Sequence, residues 1–146
     1  MQDALNEARR AGERGEVPVA AILLDDSGVE LARAINDREG SADPTAHAEV
    51  LAIREAAQIR GNWNLSACTL VVTLEPCLLC AATIQAARIS TVVYGAWDEK
   101  AGAVGSVYDV LRDRRLPFRT EVITGVCAEE SAALLSEFFE ARRLEE

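Results

Sequence analysis

The hydrophobic and polar positions of this chain follow two periodicities, one typical of amphipathic helices and one typical of strands. Leu5, Ala8 and Ala11 recur at helical spacing near the start of the chain. Continuous apolar runs, beginning with residues 17–24, are typical of strands that are covered on both faces. The pattern predicts helices over about 3–14, 47–60, 77–88, 107–112 and 128–143, and strands over about 17–24, 29–34, 68–74, 91–96 and 121–126.

The order of these elements predicts an α/β fold. Residues 25–28 form a turn that joins the first two strands as a hairpin, and the more polar second strand is expected at a sheet edge. The later strands alternate with helices, which predicts parallel neighbours. We therefore expect a three-layer α/β/α sandwich with a five-stranded mixed sheet. No repeat or linker interrupts the pattern, so residues 1–146 are expected to form a single domain.

Two short segments carry the residues that can perform chemistry. His47 and Glu49 stand two residues apart, at the irregular first turn of the second predicted helix. Cys77 and Cys80 have the i, i+3 spacing that puts both thiols on one face of a helical turn. One imidazole and two thiolates make a zinc site with one open position, which catalytic zinc sites have and structural sites lack. We predict that His47, Cys77 and Cys80 bind one Zn²⁺.

Glu49 is the carboxylate that this pattern leaves beside the metal. A zinc-activated water is a nucleophile at neutral pH. Hydrolysis of an aromatic amine also requires a proton on the ring nitrogen and another on the departing amine. We predict that Glu49 carries the proton in both steps, a contribution typically worth about 10²–10⁴-fold in rate.

The remaining composition indicates the cellular context. No apolar run approaches the roughly 20 residues that span a bilayer, and the N-terminus lacks signal-peptide character. We expect no membrane association and a cytoplasmic location, where a Cys-x-x-Cys pair more often means metal or redox chemistry than a disulfide. Cys68 and Cys127 are predicted to be buried small hydrophobic residues in strand-like surroundings.

The net charge of −9 argues against a generic nucleic-acid binder. Residues 112–119 nevertheless form a local basic run, and Arg142 and Arg143 end the last predicted helix. Such a patch on an acidic body can hold a short RNA element, or it can be a solvated arginine face.

The sequence resembles the tRNA-specific adenosine deaminases of bacterial type over nearly the whole chain. The His-x-Glu and Pro-Cys-x-x-Cys signature is shared by the zinc-dependent nucleobase deaminases. The segments that resemble the family most specifically are residues 43–49 (Asp-Pro-Thr-Ala-His-Ala-Glu), residues 73–80 and residues 88–106. The resemblance implies a cytidine deaminase-like fold and a homodimer with one zinc per subunit. It implies hydrolysis of adenosine to inosine at the wobble position of a tRNA anticodon.

The resemblance also implies substrate-binding residues. By position, Asn36 matches a side chain that hydrogen-bonds the target base, Ala48 matches a backbone contact to that base, and Asp98 matches a residue that contacts the flanking nucleotides. Further candidates for contact with the tRNA anticodon stem-loop are Lys100, Arg119, Phe138, Phe139, Arg142 and Arg143.

Five positions depart from the pattern of the family. Ala20 stands where Gly is usual, and Leu79 replaces Met inside the Cys-x-x-Cys segment. Residues 117–118 (Pro-Phe) replace a polar Asn-His pair, and Glu140 stands where Arg is frequent. The last two changes remove polar or positive groups from candidate RNA-binding segments.

Two other functions fit parts of the pattern. A deaminase of a free base or nucleoside, such as guanine or cytidine, would share the zinc signature, although the helix predicted at 107–112 suits the parallel last strands of the RNA-acting branch. A non-catalytic zinc module that binds a partner would need a fourth protein ligand, and Cys68 is the candidate for it.

Overall fold

The computed structural model describes residues 1–145, in which four helices cover a five-stranded sheet. The strands are β1 Ala20–Leu24, β2 Glu30–Ile35, β3 Thr69–Leu74, β4 Thr91–Ala96 and β5 Glu121–Ile123. The helices are α1 Gln2–Glu13, α2 Ala48–Arg60, α3 Leu78–Ala87 and α4 Ala128–Glu145.

The sheet has the strand order β2-β1-β3-β4-β5, with β2 and β5 at its edges. Strand β1 is antiparallel to both β2 and β3, whereas β3, β4 and β5 are parallel. Helices α2 and α3 pack on one face of the sheet, and α1 and α4 pack on the other. The predicted three-layer α/β/α sandwich with a five-stranded mixed sheet is confirmed.

The core lies on both sides of the central strands because their apolar residues are continuous. Leu23 on β1, Leu70 on β3 and Val92 on β4 have no exposed surface. Ile84 on α3 closes the core from one face, and Leu5 on α1 closes it from the other. Burial of each such side chain contributes about 1.5–3 kcal/mol to stability.

The prediction of a helix at 107–112 is wrong. Residues 97–120 form turns and two isolated β-bridges, and β4 and β5 are nevertheless parallel as predicted. The backbone N–H groups of Val107 and Tyr108 donate to the carbonyl of Gly102, and that of Val110 donates to the carbonyl of Ala103. These bonds replace the i to i−4 bonds that a helix would need.

Two strand boundaries and the environment of one cysteine also differ from the prediction. Strand β1 begins at Ala20, because the N–H of Val19 bonds to the carbonyl of Val17 in a tight turn. Strand β5 ends at Ile123, just before the chain turns at Gly125 with a φ of 75°. Cys127 is half-buried with a φ of 56° at the start of α4, so its predicted burial in a strand is wrong, whereas Cys68 is fully buried as predicted.

In the part of the chain that the structure describes, none of the helices combines the length and the apolar character needed to cross a membrane.

We expect Ile84→Ala to lower the free energy of unfolding by about 2–5 kcal/mol, because it leaves a cavity where α3 packs on the sheet. Ile59→Ala is the matched control on α2, since Ile59 is 59% exposed, and it should change stability by less than about 0.5 kcal/mol. Equilibrium urea denaturation followed by circular dichroism measures both. Equal effects of the two variants would contradict the assignment of Ile84 to the core.

Candidate active site

His47 and Cys77 occupy the same structural position on two different helices. Each is the N-cap residue, with extended backbone, of α2 and α3 respectively. Glu49 and Cys80 follow in the first turns of these helices. Helices α2 and α3 contact each other on one face of the sheet, so their N-termini bring these side chains together. The predicted irregular first turn at His47 is confirmed.

The ligand atoms of His47, Cys77 and Cys80 lie within 4.8 Å of one another. The Nδ1 atom of His47 lies 3.5 Å from Sγ of Cys77 and 3.4 Å from Sγ of Cys80. Zinc bonds to sulfur and to nitrogen place neighbouring ligand atoms of a tetrahedron about 3.6 Å apart. The three atoms therefore have the chemistry and the spacing to bind one zinc ion.

The electrostatics of the two thiols are unequal. A hydrogen bond from the Cys80 thiol, together with one from the His47 ring, lowers the pKa of Cys77 to about 4 despite its partial burial. The same bond between the thiols and the burial of the site raise the pKa of Cys80. The hydrogen bond to Cys77 raises the pKa of His47. A thiolate ligand is thus preformed at Cys77, and metal binding must displace the proton of Cys80.

Glu49 lies beside this group with only 4% of its surface exposed. Burial is the largest cause that raises the pKa of its carboxyl, to about 7, and the charge of Cys77 adds to the shift. A carboxyl in such surroundings can both hold and release a proton near neutral pH.

A cavity of about 180 Å³ opens over these residues. This is below the roughly 300 Å³ lower limit of sites for drug-sized ligands, and it suits a single flat ring system. Its polar and charged lining consists of Asn36, Arg38, His47, Glu49, Glu75 and Asp98. Asn36 and Arg38 belong to the loop after β2, so this loop forms one wall of the cavity.

The small cavity adjoins a larger one of about 750 Å³, with which it shares Val17, Leu74, Asp98 and Ala101. The larger cavity in turn shares Lys100, Leu135 and Phe139 with a third cavity of about 600 Å³, which Arg142 and Arg143 also line. A row of adjoining cavities, here called the groove, therefore extends from the candidate metal site to the end of α4.

The candidate RNA contacts do not all lie on this groove. Phe138 packs edge-on against Phe139, with the guanidinium of Arg142 5.0 Å from its ring. Arg119 lies just before β5, whose first residue, Glu121, pairs with Thr91, the first residue of β4. The site lies at the other, carboxyl ends of the parallel strands. Arg119 is therefore at the opposite end of the sheet.

The basic run at 112–119 is also partly neutralised. Arg112 pairs with Asp109 at 3.0 Å, and Arg115 pairs with Asp113 at 2.7 Å. Phe118 stacks under the guanidinium of Arg88 at the far end of α3. The Pro117-Phe118 departure thus lies away from the candidate metal site, whereas Arg112, at the start of the run, donates to the carbonyl of Val104. Glu140 lines the third cavity.

Cys68 is not near the metal ligands. It precedes β3, and the six residues of that strand, at about 3.3 Å each, separate it by about 20 Å from the segment that carries Cys77. The suggestion that Cys68 supplies a fourth ligand is therefore wrong.

Glu16 and Glu75 are two buried carboxylates that the sequence pattern did not identify as part of the site. Glu16 is 3% exposed and accepts hydrogen bonds from Nδ2 of Asn36 and from the N–H of Gly40. Glu75 is 1% exposed and lines the small cavity itself. One feature of the sequence could have identified them: each is an acidic residue directly next to an apolar strand segment. Glu16 precedes the run 17–24, and Glu75 follows the run 68–74.

Comparisons with known proteins agree with this geometry. The family described as the cytidine and deoxycytidylate deaminase zinc-binding region matches residues 1–96, which include all three candidate zinc ligands. A tRNA-specific adenosine deaminase of Bacillus subtilis is 43% identical over 143 residues, covering 98% of this chain and 88% of the relative.

Solved structures of two deaminase types resemble this chain. A structure from a study of A-to-I editing by tRNA:A34 deaminases at the wobble position of transfer RNA has a TM-score of 0.88 and 44% identity, covering 92% of this chain and 97% of that chain. The structure of a guanine deaminase from Bacillus subtilis has a TM-score of 0.65 and 30% identity, covering 97% of this chain and 90% of that chain. This chain belongs to the zinc-binding cytidine and deoxycytidylate deaminase family, and within that family it groups with the tRNA-specific adenosine deaminases.

Proposed function

We propose that this protein hydrolyses adenosine to inosine at the wobble position of a tRNA anticodon and releases ammonia. The observation that carries the proposal is the buried Glu49 beside a three-ligand zinc group, in a cavity the size of one base that opens into a longer groove. The greater similarity to tRNA deaminases than to the guanine deaminase supports an RNA substrate.

In this proposal His47, Cys77 and Cys80 bind one zinc ion per subunit. Zinc in a site with an open position lowers the pKa of water there toward about 7. The N-termini of α2 and α3 favour the negative charge of the thiolates, because a helix N-terminus carries a partial positive charge.

Glu49 is the proposed proton carrier. Its carboxylate takes a proton from the attacking water and delivers it to the ring nitrogen of adenine, next to the carbon that is attacked. It then takes the remaining proton from the hydroxyl group of the tetrahedral adduct and delivers it to the departing amine. Ammonia leaves as the C–N bond breaks and the carbonyl of inosine forms, and Glu49 returns to its starting carboxylate. Its position in the first turn of α2, two residues after His47, fixes it beside the reacting carbon.

The walls of the small cavity supply the proposed base contacts. Asn36 lines the cavity, and its Nδ2 donates to Glu16 at 3.3 Å, which leaves its amide oxygen available to a ligand. Ala48 has no exposed surface and is not among the residues that line the small cavity, so its proposed backbone contact to the base rests on the resemblance to the family. Asp98 lines both the small and the larger cavity, a position suited to the nucleotides beside the target.

The groove beyond the small cavity favours a polynucleotide over a free base. A free base would fill the 180 Å³ cavity and leave the adjoining 750 Å³ unused. Lys100, Arg142 and Arg143 can contact phosphates, and Phe139, 45% exposed, offers a ring for stacking. Glu99, Glu129 and Glu140 line the same two cavities, so these three cations alternate with acidic residues.

We further propose that the protein works as a homodimer. Leu78 and Leu79, at the start of α3, expose 48% and 37% of their surfaces. Val107 and Tyr108, 46% and 53% exposed, bond to the carbonyl of Gly102, which itself bridges to Cys77. These four residues form one apolar patch beside the metal site, and a second copy of the chain is the proposed occupant.

The two thiol ligands also support a cytoplasmic location, because they bind zinc only while they stay reduced. Recovery of the activity in the cytosolic fraction of cells would check this placement.

We expect the zinc-loaded protein to form inosine on an anticodon stem-loop with adenosine at the wobble position. The rate on free guanine, cytidine or adenosine at equal concentration should be at least about a hundredfold lower, because these ligands leave the groove empty. Chromatography of the products measures all four. Faster turnover of guanine than of the stem-loop would replace the proposal by a free-base deaminase.

Three variants test the assigned roles. Cys80→Ser should lose most bound zinc and all activity, because it removes a thiolate ligand. Glu49→Gln should keep stoichiometric zinc and lose about 10²–10⁴-fold in kcat on the stem-loop. Cys68→Ser is the control for a buried thiol and should keep both. Plasma emission spectroscopy gives the zinc content, and an active Glu49→Gln protein would exclude Glu49 from the mechanism.

The dimer is tested at the apolar patch. Val107→Asp should raise the dissociation constant of the dimer at least about tenfold, since it puts a charge into an apolar interface. Val29→Asp, at a residue 59% exposed in the turn between β1 and β2, is the control and should leave the constant unchanged. Sedimentation velocity across a concentration series measures both. A wild-type chain that stays monomeric would contradict the proposed assembly.

A further inference from the structure

Glu75 is a buried carboxylate that the proposed mechanism does not use. It follows the last residue of β3 and precedes Pro76 and Cys77. Only 1% of its surface is exposed, and no ion pair of the described residues includes it. A buried carboxylate without a cation must be stabilised by hydrogen-bond donors.

All the donors to Glu75 come from one segment, residues 98–106, here called the 98–106 loop. The N–H of Asp98 donates to Oε1, and the N–H groups of Val104 and Ser106 donate to Oε2, each at 3.1 Å. The hydroxyl of Ser106 donates to Oε1. Both oxygens of the carboxylate are thus fully used, and the two ends of the loop are fixed to the same side chain.

Gly102 allows this close approach. A Cβ atom at Gly102 would overlap the carboxylate of Glu75 and the carbonyl of Asp98. The loop also bonds directly to the ligand segment, since the N–H of Ala103 donates to the carbonyl of Pro76 at 2.8 Å and Gly102 bridges to Cys77. Glu75 therefore links the zinc-ligand segment to the 98–106 loop.

The 98–106 loop forms the boundary between the small cavity at the candidate metal site and the adjoining cavity of about 750 Å³. Asp98 and Ala101 line both of them, and Lys100 lines the two larger ones. Oδ1 of Asp98 accepts the N–H groups of Lys100 and Ala101, so the turn is rigid within itself. Its orientation relative to the metal site is set by Glu75.

We propose that Glu75 is a positioning residue, which holds the 98–106 loop so that Asp98 and Lys100 bind the nucleotides beside the target base. This inference rests on the proposed RNA substrate. It predicts that Glu75 controls the binding of the stem-loop and not the chemical step, because Glu75 contacts the loop through its carboxylate while Glu49 carries the proton.

Glu75→Gln is the sharpest substitution because it keeps the size of the side chain. An amide has one oxygen, so its NH₂ group must face either the N–H of Asp98 or the two N–H groups of Val104 and Ser106. At least one anchor of the loop is then lost. We expect KM for the stem-loop to rise about tenfold, the size expected for a hydrogen bond to a charged group, with kcat within twofold of wild type.

Ser131→Ala is the matched control for loss of a buried polar contact. Ser131 is 2% exposed, and its hydroxyl donates to the carbonyl of Thr73, two residues before Glu75, without contacting the loop. This variant should lower the melting temperature and leave KM unchanged. A purely structural role for Glu75 would give the same result, since partial unfolding lowers the active fraction and not the affinity.

Hydrogen exchange provides a second measurement that needs no activity. The amides of Asp98, Val104 and Ser106 should exchange at least about tenfold faster in Glu75→Gln than in wild type, and their rates should be unchanged in Ser131→Ala. If Glu75→Gln does not fold, Ser106→Ala replaces it, with an expected threefold rise in KM from loss of the hydroxyl donor.

The outcomes separate this inference from the proposed function. An active wild-type protein whose KM is unchanged by Glu75→Gln, or by Ser106→Ala if the first variant does not fold, overturns the inference alone. A wild-type protein that forms no inosine on the stem-loop overturns the proposed function and the inference with it. A raised KM with normal kcat, normal zinc content and faster exchange in the loop supports the positioning role.

Discussion

The site depends on the convergence of two helix N-termini on one small volume. His47 and Cys77 cap α2 and α3, and both helices must keep a fixed distance if three ligand atoms are to stay within 4.8 Å. Many buried positions of α2 are alanine, and small side chains permit two helices to pack closely on the sheet. The parallel pair β3 and β4 places the connected α3 at the carboxyl ends of the strands, where α/β folds commonly bind ligands.

Three buried carboxylates have different roles around the candidate metal site. Glu49 lies beside the ligand group and is the proposed proton carrier. Glu16 accepts hydrogen bonds from Asn36 and Gly40 and so holds one wall of the small cavity, and Glu75 holds the opposite wall through the 98–106 loop. Burying carboxylates is costly. Hydrogen bonds stabilise the carboxylates of Glu16 and Glu75, whereas burial raises the pKa of Glu49 to about 7. The pocket is therefore held by polar contacts at its walls and by apolar packing beneath them.

Much of the fold and the ligand group could be predicted from the sequence, because their signals are local. The apolar runs of the central strands and the spacing of Cys77 and Cys80 are visible in a few neighbouring residues. The segment from 97 to 120 could not be predicted in this way, because its conformation is set by bonds to a distant carboxylate at Glu75 and to the carbonyl of Gly102. Arg119 shows the same limit, since its separation from the metal site follows from strand direction and not from its charge.

The anchoring of the 98–106 loop has a consequence for redesign. Three of its four bonds to Glu75 come from main-chain N–H groups, so they do not depend on which side chains the loop carries. Glu99, Lys100 and Ala101 line the larger cavity without taking part in this anchoring through their side chains. A library that varies these three positions, while Gly102 and Ser106 are retained, would change the chemistry of the groove on an unaltered backbone. The same scaffold could in this way be given new sequence preferences without disturbing its metal ligands.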